Sequence, residues 1–506
     1  MTPTPRDFNA AIHFVERHVR EGRGDRVAYV HDGGTTTYRE LADRTARIAT
    51  AIRRAGVVPE QRVVLCMLDT PDFVATFFGA IRAGVVPVPV NTLLTADDYA
   101  FMLADSRARI AFVSDALGEK IDVAVAGLAD RPIVVRTSAL DAFVGDASPM
   151  IEAFPSCADD VGFWLYSSGS TGRPKGTVHL QTDLLATADL YGRGVLGITE
   201  DDVVFSAAKL FFAYGLGNAM TFPLHVGAKA VLLAERPTPG AVMRTLERHA
   251  PTLFCGVPTL FASMLADEAT ATSRGSPKLR TSISAGEALP EHTGKRWEAR
   301  FGTPILDGIG STEMLHIFLS NRPSDVRYGT SGKPVEGYEV ELRDTEGRRV
   351  AEGEEGILWV RGPSSAVAYW NQREKSLATF HGPWTCTGDR YGRDADGYYV
   401  YAGRADDMLK VGGIWVSPFE VESALLAHDA VLEAAVVGHP DADGLVKPRA
   451  FVVLKEGRTG GDALVAELKA FVKANIAPYK YPRWIEIRDA LPKTATGKIQ
   501  RFKLRG

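Results

Sequence analysis

The sequence predicts an α/β protein: a large N-terminal domain of parallel sheets flanked by helices, a barrel-like β subdomain within it, and a small α+β domain at the C-terminus. Three observations carry this expectation. Helix-like and strand-like stretches alternate through the N-terminal half, the pattern by which β-α-β units build a parallel sheet. From about Gly332 the texture changes to short strands separated by Gly and Asp turns, which reads as antiparallel or barrel-like structure. A boundary follows between Gly403 and Asp407, and the stretch beyond it has a helix and strand pattern of its own. A chain of 506 residues is also too long for a single core. The expected division is 1–404 and 405–506, with the β subdomain starting near 332.

The elements follow in order. Tyr38–Arg54 places Leu41, Ala42, Ile48, Ala49 and Ile52 at helical spacing. Arg62–Met67 is an apolar run of buried-strand length, and Pro71–Ala83 reads as a helix. Val85–Val90 reads as a strand whose two prolines limit its pairing. Val161–Leu165 is a strand, and His179–Asp189 reads as a helix. A similar alternation returns from Asp201 to Ile305. Tyr338–Leu342, Gly356–Arg361 and Gly397–Tyr401 are the short strands of the β subdomain. The last piece reads as helix Pro418–His428, strands Val431–Val437 and Ala450–Leu454, helix Gly461–Ile476 and a basic tail.

Composition narrows the function classes. A formal charge of -4 exerts no global pull on nucleic acid or an anionic membrane. No apolar run approaches the roughly 18 residues of a membrane span, and the polar, proline-containing start lacks a secretory apolar core. Cys66, Cys157, Cys255 and Cys386 lie far apart, which argues against a zinc site or a disulfide framework and suits a reducing compartment. The expectation is a soluble cytoplasmic protein with no nucleic-acid or membrane partner, as monomer or homodimer.

One segment stands out chemically. Tyr166–His179 packs three glycines, three serines, two threonines, a lysine and an arginine into fourteen residues. Hydroxyls and free backbone N–H groups can wrap an anion that a lysine neutralises. Between an expected strand and an expected helix, the segment reads as a phosphate cradle; the competing reading is a flexible surface loop. It is not a Walker A loop, because Gly176 follows Lys175 where that motif joins lysine directly to Ser or Thr.

Four further segments follow: Ser284–Pro290, Asp307–Glu313, Thr387–Asp389 with Tyr401–Arg404, and Leu491–Ile499. Taken in this order, the set resembles the acyl-adenylating superfamily of acyl-CoA synthetases, luciferases and peptide-synthetase adenylation domains. The resemblance runs from about residue 8 to 505. It implies ATP, Mg2+ and coenzyme A, and a reaction in which a carboxylate attacks the α-phosphate before a thiolate displaces AMP. Both steps crowd negative charge, so cations and N–H donors are needed where that charge grows.

By that resemblance Ser167, Ser168, Gly169, Ser170, Thr171, Gly172 and Lys175 hold the β- and γ-phosphates. Thr312 meets the α-phosphate and Glu313 holds the metal; a capping box or first helical turn is the structural alternative for both. Gly286, Glu287 and Ala288 line adenine and Asp307 lies near its amine, within the nucleotide-binding run Gly308, Ile309, Gly310 and Ser311. Ile309 departs from the aromatic residue of many relatives. Asp389 takes the ribose hydroxyls with help from Arg404. Lys498 is the adenylation lysine, with a solvated basic tail as the competing reading. Asp406 matches the hinge of a mobile C-terminal domain, against an ordinary turn. After rotation, Lys410 faces the substrate site and Val411, Gly412, Gly413 and Trp415 line the thiol channel.

Within the superfamily, Asn91–Tyr99, Phe211–Asn218 and Ile305–Phe318 look most like benzoate–CoA ligases and their hydroxybenzoate relatives. An aryl acid needs a short flat pocket with apolar walls. Ala213, Tyr214, Gly215, Gly310, His316 and Ile317 fit such a lining, with Gly310 leaving room for a ring; each is equally readable as plain core. No acidic residue among them would meet an ammonium group, which argues against amino-acid adenylation. No carrier domain follows in the sequence, so free CoA is the expected acceptor. The alternatives are a 4-hydroxybenzoate–CoA ligase, a medium-chain acyl-CoA synthetase, or a catalytically silent nucleotide-binding regulator. The presence of Lys498, Glu313 and Asp389 argues against the last.

Overall fold

The computed structural model describes residues 6–150, 152–167, 174–404, 407–411, 414–441, 445–477, 480–493 and 499–505. Among them, nine strands form the largest sheet, in the order Lys333–Pro334, Ile317–Ser320, Ile305–Gly310, Thr281–Ser284, Leu253–Gly256, Val203–Ser206, Lys229–Val231, Val27–His31 and Gly34–Thr37. The run from Ile305–Gly310 to Val27–His31 is parallel throughout, and antiparallel strands close both edges. A second, all-parallel sheet has the order Val86–Pro89, Arg62–Cys66, Ile110–Val113 and Ile133–Arg136. The alternation in the sequence therefore builds two sheets with parallel strands, as expected.

Helices cover them for identifiable reasons. Tyr38–Arg54 opens on a capping box: Thr37 Oγ1 accepts the Glu40 N–H at 3.2 Å, and the Glu40 carboxylate accepts the Thr37 N–H at 2.8 Å. Its last turn carries Arg53 and Arg54, which suit the negative helix end. Leu41, Ile48, Ala49 and Ile52 are buried as the spacing predicts, and Ala42 is half-buried at the edge of the stripe. Pro71–Arg82 packs across it at Gly79, where a Cβ would come within 2.9 Å of the Ile48 side chain. Pro87 and Pro89 confine their strand to the sheet edge, as expected.

The glycine-rich segment departs from the expectation. Strand Val161–Ser167 pairs antiparallel with Lys175–Leu180, from Val161 opposite Leu180 to Ser167 opposite Lys175. The helix begins only at Gln181. The described ends of the segment are thus the two strands of an antiparallel pair, not a strand followed by a helix, and His179 belongs to a strand. The β-branched Thr177 and Val178 favour that extended path. The hairpin is wedged between two cores. Phe163 and Leu165 join the core under the nine-stranded sheet, while Trp164 and Val178 pack with Val64, Val86 and Val88 of the four-stranded one. Ala368–Tyr369 adds a short third strand beside Lys175–Leu180.

The barrel-like expectation corresponds to Glu339–Arg343, Gly356–Arg361, Trp384–Arg393 and Phe380–His381, with Tyr399–Arg404 also paired to Trp384–Arg393. From residue 407 on, a separate core gathers Leu409, Val416, Val421, Leu425, Val436, Val452, Leu468 and Val472. Its sheet contains Val431–Pro440, Val446–Leu454 and a strand the sequence reading missed, Trp484–Ile487, which runs parallel to Val446–Leu454. The helices are Pro418–Leu426 and Asp462–Asn475. Glu422, buried, accepts the Val436 N–H and both arms of the Arg501 guanidinium, at 2.9 and 2.6 Å. Arg505 pairs with Asp407.

The nine-stranded sheet is tied to the half-barrel at Gly332, whose carbonyl accepts the Tyr399 N–H at 2.9 Å. Gly332 has φ +76°, and a Cβ there would lie 2.0 Å from the Ser320 carbonyl carbon. Gly332→Ala should lower stability by at least about 3 kcal/mol, from left-handed strain plus overpacking. Gly347→Ala, with φ +81° but open space around it, should lose only about 1–2 kcal/mol. Calorimetric melting of both variants compares them; equal losses would mean that the Ser320 backbone simply moves aside.

Candidate active site

Lys175 opens its strand at the base of the hairpin tip, opposite Ser167. Ser168, Gly169, Ser170, Thr171 and Gly172 lie outside the described residues. The Lys175 ammonium sits 4.0 Å from Glu313 Oε1 and 4.1 Å over the ring of Tyr369, whose hydroxyl donates to the same carboxylate oxygen at 2.7 Å. Burial holds the Lys175 pKa below its usual value; Glu313 pulls it back up, while the cations Lys375 and Arg404 push it further down. Positive charge gathered around one carboxylate suits an incoming polyanion.

Thr312 and Glu313 lie in the turn between strands Ile305–Gly310 and Ile317–Ser320, so they do not start a helix. The turn is tight enough to force Leu315 to φ +64°, an uncommon conformation for a leucine. The Glu313 carbonyl accepts the Ala366 N–H at 2.8 Å, and the Met314 carbonyl accepts the Ser364 hydroxyl at 2.8 Å. Asp389 and Arg404 face each other across a strand pair, with Arg404 Nη1 3.2 Å from Asp389 Oδ1 and 3.1 Å from the Thr387 carbonyl. Arg404 thus reaches both the Asp389 carboxylate and, electrostatically, Lys175.

Asp307 ends the parallel run of the large sheet. It is buried, and its Oδ2 accepts the Leu289 N–H at 3.3 Å while Oδ1 has no hydrogen-bond partner. Burial pushes its carboxyl up to about 8; the Leu289 N–H, the Ser284 hydroxyl and the Gly308 N–H pull back more weakly. The segment Gly286, Glu287 and Ala288 leads into Leu289, with Gly286 at φ +96°. Ile309 is half-buried beside the core, offering an aliphatic surface. A buried carboxyl oxygen without a donor fits the amine of a purine.

His316 is buried at the centre of a ring cluster, with centroids 4.5 Å from Phe222, 5.2 Å from Tyr191 and 5.6 Å from Tyr214. Its Nε2 lies 3.3 Å from the Tyr214 carbonyl and its Nδ1 has no partner. Burial drives its pKa down to about 3, so the ring is neutral and donates through Nε2. The Tyr214 hydroxyl donates to the Ile283 carbonyl at 2.9 Å. Ala213 starts the short helix that carries Tyr214.

Three of the expected lining residues have other duties. A Cβ on Gly310 would sit 2.4 Å from the His316 carbonyl oxygen, and one on Gly215 would sit 2.1 Å from that of Lys209. Both glycines are required by adjacent backbone. Ile317 points into the main core. Val411 is likewise buried in the C-terminal core rather than facing a channel. Lys410 stands opposite Trp415 in a strand pair. Gly412, Gly413, Asp406 and Lys498 lie outside the described residues, although Lys493 and Ile499, which bound the Lys498 segment, bridge each other. Sequence reasoning missed Tyr369, Tyr191 and Phe222, which carry no spacing signal. It also missed Gly217, where a Cβ would meet the His316 ring at 2.5 Å; only its place in the Phe211–Asn218 segment pointed to it.

The buried Asp307 makes stability depend on pH. Unfolded, it titrates near the usual carboxylate value of about 4, and folded near 8. The folded state holds the extra proton between those values, so stability falls as pH rises from about 4 to about 8. Asp307→Asn removes the ionisation. The stability of the variant relative to the parent should rise by on the order of a few kcal/mol between pH 5 and 9. Parallel denaturant titrations read this directly, and a pH-independent difference would mean that Asp307 is hydrated.

Comparison with known proteins places this geometry. The AMP-binding enzyme family matches residues 15–370, and the AMP-binding enzyme C-terminal domain matches residues 420–498. The benzoate–CoA ligase of Thauera aromatica is 58% identical over 99% of this chain and 96% of its own. The crystal structure of a benzoate CoA ligase from Burkholderia xenovorans superposes with a TM-score of 0.93 at 54% identity, covering 99% of this chain and 100% of that one. An anthranilate CoA ligase in complex with anthranoyl-AMP gives a TM-score of 0.96 at 42% identity, over 99% and 97% of the two chains. The chain belongs to the AMP-binding enzymes, matching both the large and the C-terminal parts of that family.

Proposed function

We propose that the protein ligates benzoate, or a small ring-substituted benzoate, to coenzyme A. A carboxylate oxygen attacks the α-phosphorus of ATP and pyrophosphate leaves; the CoA thiolate then attacks the acyl carbon and AMP leaves. The observation that carries this reading is the convergence of Lys175, Glu313, Asp389 and Arg404, in a chain similar over its full length to benzoate–CoA ligases.

In this reading Ser167 to Gly172 and Lys175 hold the β- and γ-phosphates, Thr312 the α-phosphate, Asp307 the adenine amine, and Asp389 with Arg404 the ribose. Lys498 stabilises the charge that grows between carboxylate and α-phosphate. Glu313 supplies a single carboxylate, and no group of three His, Cys, Asp or Glu able to hold a metal occurs among the described residues. That donor set fits a magnesium ion shared with the nucleotide's phosphates, whose charge it neutralises when bound. Residues 405–506 act as the mobile domain, turning at Asp406 to bring Lys410 and Gly412–Gly413 to the site for the thiol step. The ring cluster around His316 offers flat apolar walls and contains no carboxylate to meet an amino group. All four cysteines are unpaired, which supports a cytoplasmic setting.

Pyrophosphate release with benzoate, 4-hydroxybenzoate, 2-fluorobenzoate and octanoate tests the substrate. Octanoate outpacing every benzoate would replace this reading with a medium-chain ligase. Lys498→Ala should slow benzoyl-AMP formation by about 10² or more while sparing thioester formation from supplied benzoyl-AMP. Equal loss in both half-reactions would remove Lys498 from the adenylation step.

His316→Ala and Tyr214→Ala should each lower kcat/KM for benzoate more than for bulkier ring-substituted acids, by roughly 1–3 kcal/mol per lost contact. Unchanged selectivity together with a lower melting temperature would make both residues core braces.

A further inference from the structure

The hairpin that carries the phosphate-loop lysine also carries a histidine that no step above uses. His179 lies four residues after Lys175 in the same strand, so both side chains leave by the same face. Its ring is fully buried and stacked on Phe163, with centroids 5.1 Å apart and planes 10° apart. Nδ1 is 2.8 Å from Asp183 Oδ2, and Nε2 is 2.7 Å from the carbonyl oxygen of Thr312. Asp183 is buried too, and its Oδ2 also accepts the Leu180 N–H at 3.1 Å.

The arrangement fixes the ring. A carbonyl can only accept, so Nε2 carries hydrogen and donates to Thr312. On its other side the ring meets Asp183, whose Oδ2 faces Nδ1 while accepting the Leu180 N–H. Both ring nitrogens are thus held by buried partners, and the Nε2–H bond ties the hairpin to the Thr312 backbone.

We infer that His179, oriented by Asp183, is a positioning residue for adenylation that locks the Thr312–Glu313 turn to the hairpin bearing Lys175. This rests on the reaction proposed above. His179 fixes the backbone of the residue whose hydroxyl meets the α-phosphate, next to the carboxylate that faces Lys175. A shift of that turn misplaces both groups together. The thiol step, from which pyrophosphate has already left, keeps only the Thr312 contact to the α-phosphate and depends on the turn less.

The test compares His179→Phe, which keeps the stack and loses both bonds, with His179→Gln, which keeps an N–H for the Thr312 carbonyl. Each is assayed by pyrophosphate exchange with whichever acid of the panel the parent turns over, so a wrong substrate does not affect the outcome. His179→Phe should slow adenylation by about 10–100-fold and leave thioester formation from supplied acyl-AMP within about 3-fold; His179→Gln should recover most of the loss. Histidine-selective 15N spectra should show an exchange-protected Nε2–H on the ring missing from His179→Phe. Equal loss in both half-reactions, no loss at all, or no protected N–H on Nε2 of the parent ring would each overturn the inference.

Discussion

The turn from Ser311 to Leu315 is the point on which the rest of the molecule closes. Three successive carbonyls of this turn are tied by groups outside it: Thr312 by His179, Glu313 by the Ala366 N–H and Met314 by the Ser364 hydroxyl. These partners belong to the hairpin and to the segment following the half-barrel strand Gly356–Arg361. The turn itself hangs from the end of the large parallel sheet. Three layers meet at one short stretch of backbone; the hairpin contributes one hydrogen bond and the segment after the half-barrel strand two. The positive φ at Leu315 sits among these external bonds and two local ones, Leu315 N–H to the Thr312 carbonyl and His316 N–H to the Met314 carbonyl.

Electrostatics at the site follow from that closure. Lys175 is brought near Lys375 and Arg404, with Glu313 as its direct partner. In the unliganded protein such a gathering is unfavourable, and burial makes it more so. In the proposed function, nucleotide phosphates bound here would relieve it. Asp307 and His316 show the complementary device. Each is a polar group buried with one atom unpartnered, a state that costs little only when a ligand or water supplies the missing partner.

Much of this was legible in the sequence, and the failures have physical causes. Helix Tyr38–Arg54 was readable because its cap, stripe and basic end agree. The proline-bearing edge strand was readable for the same reason of local consistency. The hairpin was misread because Thr-Val-His-Leu continues smoothly into Gln-Thr-Asp-Leu-Leu, and nothing local marks where extended backbone becomes helix. Only pairing with Val161–Ser167 decides it. Strand Trp484–Ile487 was missed because its side chains alternate weakly and its partner lies over thirty residues upstream. Motif residues such as Lys175, Glu313, Asp389 and Arg404 assemble as their order implied. Motif membership says which residues matter and not which neighbour each one serves: a Cβ on Gly310 or Gly215 would meet backbone, which no spacing signal shows.

The two prolines of the edge strand have a mechanical meaning. Val86 and Val90 donate inward, to the carbonyls of Gln61 and Leu65, at 2.8 and 3.0 Å. Pro87 and Pro89 alternate with them and have no N–H to offer on the other side, which is where strand Val161–Ser167 lies. The four-stranded sheet therefore cannot extend its ladder into the hairpin. Contact between them is made by Trp164 and Val178 packing on Val86 and Val88. Side-chain contact slides at far lower cost than a ladder of hydrogen bonds breaks. The seam between this sheet and the hairpin is thus closed by side-chain packing alone, so the two pack as separate sheets rather than one continuous ladder.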